Sequence, residues 1–255
     1  MKKLVTTILL AMALQPINLL AQQCEVANTA FKEGESVRYD LYFDWGIIWK
    51  KVGYATFSTE KTVYEGQPAY DIETAEMILK KHNYDIVLGS VHNLRGGEDF
   101  YFMENLSLKE AEKLLYEYFN AIIEMLNWGN FDVLTHLTYP LRYFYSKSNL
   151  DIDLDKFKDQ IDEVLTLAAK KGKALEINTA ALRQPLNKLS PEVDIIKRFK
   201  ELGGKYVSVG SDAHYAEHLS ADIDMAYSAA LEAGFDSITF FQKRTPMEMK
   251  IEMED

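Results

Sequence analysis

From about Ala75 onward the chain alternates short apolar runs with longer helix-like stretches, which leaves few folds open to it. The strand candidates are Asp85 to Val91, Phe131 to Leu137, Ala174 to Asn178, Tyr206 to Gly210 and Ser237 to Phe241. Between them lie helical candidates at Leu108 to Asn127, Leu154 to Lys171, Pro191 to Leu202 and Asp222 to Ala233. Strands covered on both faces read as continuous apolar runs, as Ile86-Val87-Leu88 does. Ser107 and Glu110 have the spacing of a capping box, in which each side chain satisfies an otherwise unpaired backbone N–H. Ser190-Pro191 has the form of a helix start, and Gly172, Gly203 and Gly234 sit where helices should end. The expectation for residues 75–251 is therefore α/β, with five βα units in a barrel-like array.

Upstream the texture differs. Residues 35–72 alternate apolar and polar, with Val37, Tyr39, Leu41 and Phe43 on one face, then Val52, Tyr54 and Thr56. A Glu65-Gly66 turn precedes Ala69 to Ile72, and the whole reads as a small antiparallel β-meander. Met1-Lys2-Lys3 and the apolar run Leu4 to Leu14 have the form of a secretory signal with cleavage after Ala21. That run is too short for a stable membrane span. The division expected is a signal-like segment at 1–21, a β-rich fragment at 22–74 and an α/β domain at 75–255. Cys24 is the one cysteine, so no disulfide forms within the chain. It lacks the small neighbour that a lipidation signal places before the cysteine.

The formal charge of −11 argues against nucleic-acid binding, which needs clustered Lys and Arg, and favours a small soluble substrate. In parallel α/β arrays the chemistry gathers where strands finish. His92, His136, Asp212 and His214 all fall at such ends, and Asp212 and His214 are one residue apart, so both can face a cleft. Imidazole and carboxylate without thiolate suit Zn, Mn or Fe, and such ions activate water and neutralise an anionic leaving group. Those four are the candidate metal ligands, with Asp212 and His214 also the candidate catalytic pair. Arg142, Arg183 and Asn178 are candidates for binding a phosphorylated substrate, because the guanidinium fork fits phosphate oxygens. Glu176 is read as an orienting or pocket-lining group. His82 and His218 are assigned to solvent. Tyr101, Phe102 and Tyr143 to Tyr145 are assigned to core or pocket wall.

These segments carry a resemblance. Tyr84 to Leu94 with its Gly89-Ser90-Val91-His92 end, Asp132 to His136, Glu176 to Arg183 and Ser208 to His214 resemble, in order, motifs of the polymerase-and-histidinol-phosphatase (PHP) family, in its histidinol-phosphatase branch. The resemblance spans about residues 75–251. It implies a distorted barrel, up to three divalent metals, and removal of phosphate from L-histidinol phosphate in histidine biosynthesis, a cytoplasmic reaction. Family members begin with a His-x-His strand and add Asp, His and Glu ligands before the first of these motifs. None of those motifs occurs here, so the resemblance implies an incomplete PHP-type barrel, fewer metals or none, and weak activity. Cys24 to Phe31 and Tyr39 to Trp45 resemble the start of an uncharacterised family of secreted bacterial β-proteins. The expectation is a fusion of two truncated genes, by recombination or sequence assembly, joined between Ile72 and Ala75. A second reading is a secreted β-rich binding or structural protein whose PHP-derived segment is an inactive passenger. A PHP module acting on nucleic-acid ends is disfavoured by the acidic balance.

Overall fold

The computed structural model describes residues 36–45, 48–58 and 72–252. The chain divides into two compact units, Met1–Glu65 and Gly66–Asp255. In the first, β1 (Ser36–Trp45) and β2 (Ile48–Ser58) pair antiparallel, with Ser36 opposite Ser58 and Trp45 opposite Ile48. The register shifts between Leu41 and Tyr42, leaving one extra residue on β2. The expected leader, Cys24 and the Glu65-Gly66 turn lie outside the described residues. Ile72, expected to end a third strand, instead opens helix α1 (Ile72–Lys81). Good helix formers follow it, and Glu76 and Lys80 face each other one turn apart at 3.7 Å. The expected junction thus falls inside a helix.

The second unit is built on a parallel sheet of β3 (Leu88–Gly89), β4 (Val133–Leu134), β5 (Ala174–Asn178) and β6 (Val207–Gly210), in that spatial order. Helix α2 (Leu108–Trp128) links β3 to β4. Helices α3 (Tyr139–Ser148) and α4 (Lys158–Lys170) link β4 to β5, and α5 (Val193–Glu201) links β5 to β6. Helix α6 (Ile223–Glu232) follows β6. The fifth strand candidate exists as β7 (Ser237–Gln242), but it pairs antiparallel with β8 (Thr245–Lys250). The two-residue turn explains the reversal. Lys243 and Arg244 both have positive φ, at 51° and 63°, and Asp85 accepts the Lys243 N–H on its carboxylate and the Arg244 N–H on its carbonyl, each at 2.9 Å. Among the described residues no helix is long and apolar enough to cross a membrane.

Strands β3 and β4 are shorter than their apolar runs because a side chain takes over the ladder. Asp132 accepts the Val87 N–H on its carboxylate at 2.8 Å, while the Asp132 N–H donates to the Val87 carbonyl at 2.8 Å. The capping box forms as expected, with Glu110 accepting the Ser107 N–H at 2.9 Å. Gly172, Gly203 and Gly234 follow the helices with left-handed φ of 64°, 93° and 87°. Ser190-Pro191 does not start a helix. Its peptide bond is cis, the Ser190 main chain exchanges hydrogen bonds with Asn178, and α5 begins at Val193. Residues Leu154–Phe157 form a 3-10 turn ahead of α4 rather than part of it. The core lies between sheet and helices, with Tyr118, Phe119, Ile122 and Leu126 of α2 and Val164, Leu165 and Ala168 of α4 buried in it.

Gly89 sits directly under the ring of Phe131, which is fully buried. A Cβ there would lie 2.6 to 2.9 Å from three ring carbons, and the packed ring has nowhere to retreat. Gly89→Ala is expected to cost about 1–3 kcal/mol in urea unfolding; an unchanged midpoint would show that the ring and strand yield easily.

Candidate active site

The ends of β3 and β4 bring two imidazoles together. His92 Nε2 and His136 Nε2 are 3.2 Å apart, although 44 residues separate them in the chain. His136 is buried, and burial first, then the charge of Arg142, lowers its pKa to about 3, so the ring is neutral at ordinary pH. His136 Nδ1 has no hydrogen-bond partner among the described residues. His92 is more open, and its ring stacks on Tyr139 with centroids 4.4 Å apart and planes 18° apart. Burial, then its bond to Asp99, pushes the Tyr139 phenol up, so the hydroxyl stays protonated and donates to Asp99 at 2.7 Å.

Strand β5 contributes Glu176 and Asn178, both buried. Glu176 Oε2 accepts the backbone N–H of His136 at 2.8 Å and the Asn178 amide at 3.1 Å. Gly210, on the neighbouring strand, makes room for the other oxygen, since a Cβ there would lie 2.2 Å from Glu176 Oε1. Burial raises the pKa of Glu176 against the effect of those two donors. Arg142, on α3, is buried, and both its terminal nitrogens reach Asp212 Oδ2, at 3.2 and 3.4 Å. Its guanidinium also lies 4.3 Å over the ring of Tyr139.

Of the remaining candidates, His214 lies on the loop after β6, and Arg183 and Asn178 lie at or just after the end of β5. His214 is 77% exposed at the side chain, and its Nδ1 lies 3.0 Å from the backbone oxygen of Asp212. Arg183 donates to the Ser211 carbonyl and, at 3.1 Å, to Asp222, bracing this loop from its base. Asn178 uses its oxygen on the Ala180 N–H and its amide on Glu176. The structure thus brings His92, His136, Glu176, Arg142 and Asp212 into one neighbourhood and leaves His214 at the rim. His136 and Asp212 both have left-handed backbones, with φ of 27° and 49°. Such conformations are uncommon outside glycine and concentrate at functional sites. His82, assigned to solvent, is exposed; Tyr101 and Phe102, assigned to core or pocket wall, are also exposed, at 50% and 62%.

The donor set fits a metal only in part. With bonds of about 2.1 Å, two nitrogens 3.2 Å apart span roughly the angle expected for two ligands of one ion. Asp212 is instead committed to Arg142, and among the described residues no group of three or more His, Cys, Asp or Glu is placed to hold a metal. Asp99 and Tyr139 escaped the sequence reading because no spacing rule joins them to His92. The one signal available was Pro140, which marks a helix starting just after His136 and so places Tyr139 beside it.

The PHP domain family matches residues 21–180, a span that begins upstream of the motifs quoted above. The protein named "Probable histidinol-phosphatase" from Clostridium acetobutylicum is 31% identical over 175 residues, 68% of this chain and 66% of that protein. One of the same name from Thermotoga maritima is 30% identical over 191 residues, 69% of this chain and 78% of its own length. Among solved structures, the histidinol phosphate phosphatase of Lactococcus lactis, crystallised with zinc, L-histidinol and phosphate, superposes with a TM-score of 0.56 at 28% identity. That match covers 69% of this chain and 66% of the other. The chain therefore spans about two thirds of the length of several such relatives.

His136 gives the site a pH signature. Its folded pKa is about 3 against an ordinary value of 6.5, so between those values the unfolded chain holds a proton that the folded one does not. Stability then falls as pH drops below 6.5, by up to about 1.4 kcal/mol per pH unit. Glu176 works in the opposite direction, because its raised pKa makes stability fall as pH rises. Urea unfolding from pH 5 to 7 should therefore show a shallower acid loss in His136→Gln than in the parent; equal slopes would mean that the ring titrates normally when folded.

Proposed function

Because the chain belongs to the PHP domain family, we propose that it acts as a phosphomonoesterase of the histidinol-phosphatase type, converting L-histidinol phosphate and water to L-histidinol and phosphate. The observation that carries this reading is the imidazole pair at adjacent strand ends, His92 against His136, in a chain related to a phosphatase crystallised with zinc, L-histidinol and phosphate. A divalent ion, Zn, Mn or Fe, lowers the pKa of its bound water and neutralises phosphate oxygens. In this reading His92 and His136 offer Nε2 lone pairs, since a neutral His136 ring keeps one nitrogen unprotonated. Glu176 fixes the backbone that carries His136. Arg142 and Arg183, the cations offered to phosphate in this reading, hold Asp212 and the Ser211 carbonyl in place. His214 lies at the rim.

We further propose that the four parallel strands are part of an incomplete PHP-type barrel and that turnover is far below that of a full-length relative. Two imidazoles and water bind an ion weakly, and among the described residues the Asp212 carboxylate is paired with Arg142. The test is hydrolysis of L-histidinol phosphate and p-nitrophenyl phosphate by the purified chain with added manganese or zinc. Slow, metal-dependent turnover that disappears in His92→Ala and His136→Ala is the expected result. Turnover matching a full-length relative would overturn the claim of impairment, and turnover indifferent to both substitutions would overturn the site.

A further inference from the structure

We propose that Asp99 and Tyr139 are positioning residues for His92, holding its Nδ1–H toward the Asp99 carboxylate and its Nε2 lone pair toward His136. The inference rests on the imidazole pair described above, but its geometry stands without a substrate. Asp99 occupies the loop after β3 and is fixed through one oxygen, with the other facing His92. Oδ1 accepts the Tyr101 backbone N–H at 2.8 Å and the Tyr139 hydroxyl at 2.7 Å, while Oδ2 lies 3.4 Å from His92 Nδ1. The backbone reinforces this placement, because the His92 carbonyl accepts the Phe100 N–H at 3.0 Å and Asn93 bridges Asp99. Tyr139 meanwhile lies flat against the His92 ring, so one side chain fixes both the plane of the imidazole and the carboxylate behind it.

The choice of tautomer follows from the partners. A carboxylate only accepts hydrogen bonds, so the ring nitrogen facing it is the one that carries the proton. The contact is longer than a full hydrogen bond, as catalytic hydrogen bonds often are before a ligand is bound. Carboxylates set behind a ligating imidazole in this way fix its orientation and raise its basicity. With His92 Nε2 left as an acceptor, its 3.2 Å contact requires either a proton donated by His136 or a cation between the rings.

The tautomer can be read directly on the full chain, metal-free and at pH 8, by long-range 1H–15N correlation of the imidazoles. Signals are assigned with single His→Gln variants. His92 should be dominantly Nδ1–H in the parent. Asp99→Asn should shift it toward Nε2–H, with a smaller shift in Tyr139→Phe, which keeps the stacked ring and removes only the hydroxyl. Zinc affinity, measured by chelator competition, should fall about 10- to 100-fold in Asp99→Asn. An unchanged tautomer in both variants overturns the positioning role. A changed tautomer in a chain that binds no zinc, parent included, upholds the positioning role and removes the metal reading instead.

Discussion

One buried carboxylate organises the second unit's strand ends. Glu176, on β5, accepts the His136 backbone N–H at the end of β4 and lies so close over Gly210 of β6 that a Cβ there would displace the carboxylate. A single side chain of β5 thereby meets the ends of both neighbouring strands. β4 contributes only Val133 and Leu134 to the ladder, and beyond its end Thr135 is held by Gly89 while the His136 N–H is held by the carboxylate.

The same arrangement governs the charges. Glu176 and Asp212 are acidic, Arg142 is the cation among them, and His136 is kept neutral by burial and by Arg142. A buried ion pair contributes little net stability, because desolvation offsets most of the attraction, whereas an unpaired buried charge is strongly destabilising. Arg142 is consequently bound to this cluster for the sake of folding, whatever role it has toward a ligand. Tyr139 extends the cluster outward, with the Arg142 guanidinium against its ring and Asp99 on its hydroxyl.

How much of this could be read from sequence depended on the range of the forces involved. β5 is legible to the residue because Gly172-Lys173 closes the preceding helix and the Ala174, Leu175 and Ile177 positions run on to Asn178, where the strand ends. The Ser107-Glu110 cap and the glycine helix ends were legible because they are local backbone chemistry. β3 and β4 were overestimated, since nothing in a run of apolar letters reveals that the Asp132 side chain will replace a ladder bond. Helix α3 has no clear signature in the sequence, because Tyr139, Tyr143, Phe144 and Tyr145 present aromatic groups around it without a clear polar face. At the site, His92, His136 and Asp212 announced themselves as polar residues ending apolar runs. Asp99 reaches His92 through a loop, and Tyr139 reaches Asp99 across 40 residues, contacts that follow only from the tertiary fold.

The left-handed backbones of His136 and Asp212 have a bearing on how such a chain can drift over evolutionary time. At φ of 27° and 49°, any side chain with a Cβ meets a penalty of about 1–2 kcal/mol, which is heaviest for branched aliphatics and lightest for Asn, Asp and His. Replacement by valine or isoleucine is therefore resisted by the main chain itself. A lineage that no longer needed the chemistry would still find polar, ligand-like residues the easiest to keep at these two corners, so their persistence across descendants would testify to backbone geometry as much as to catalysis.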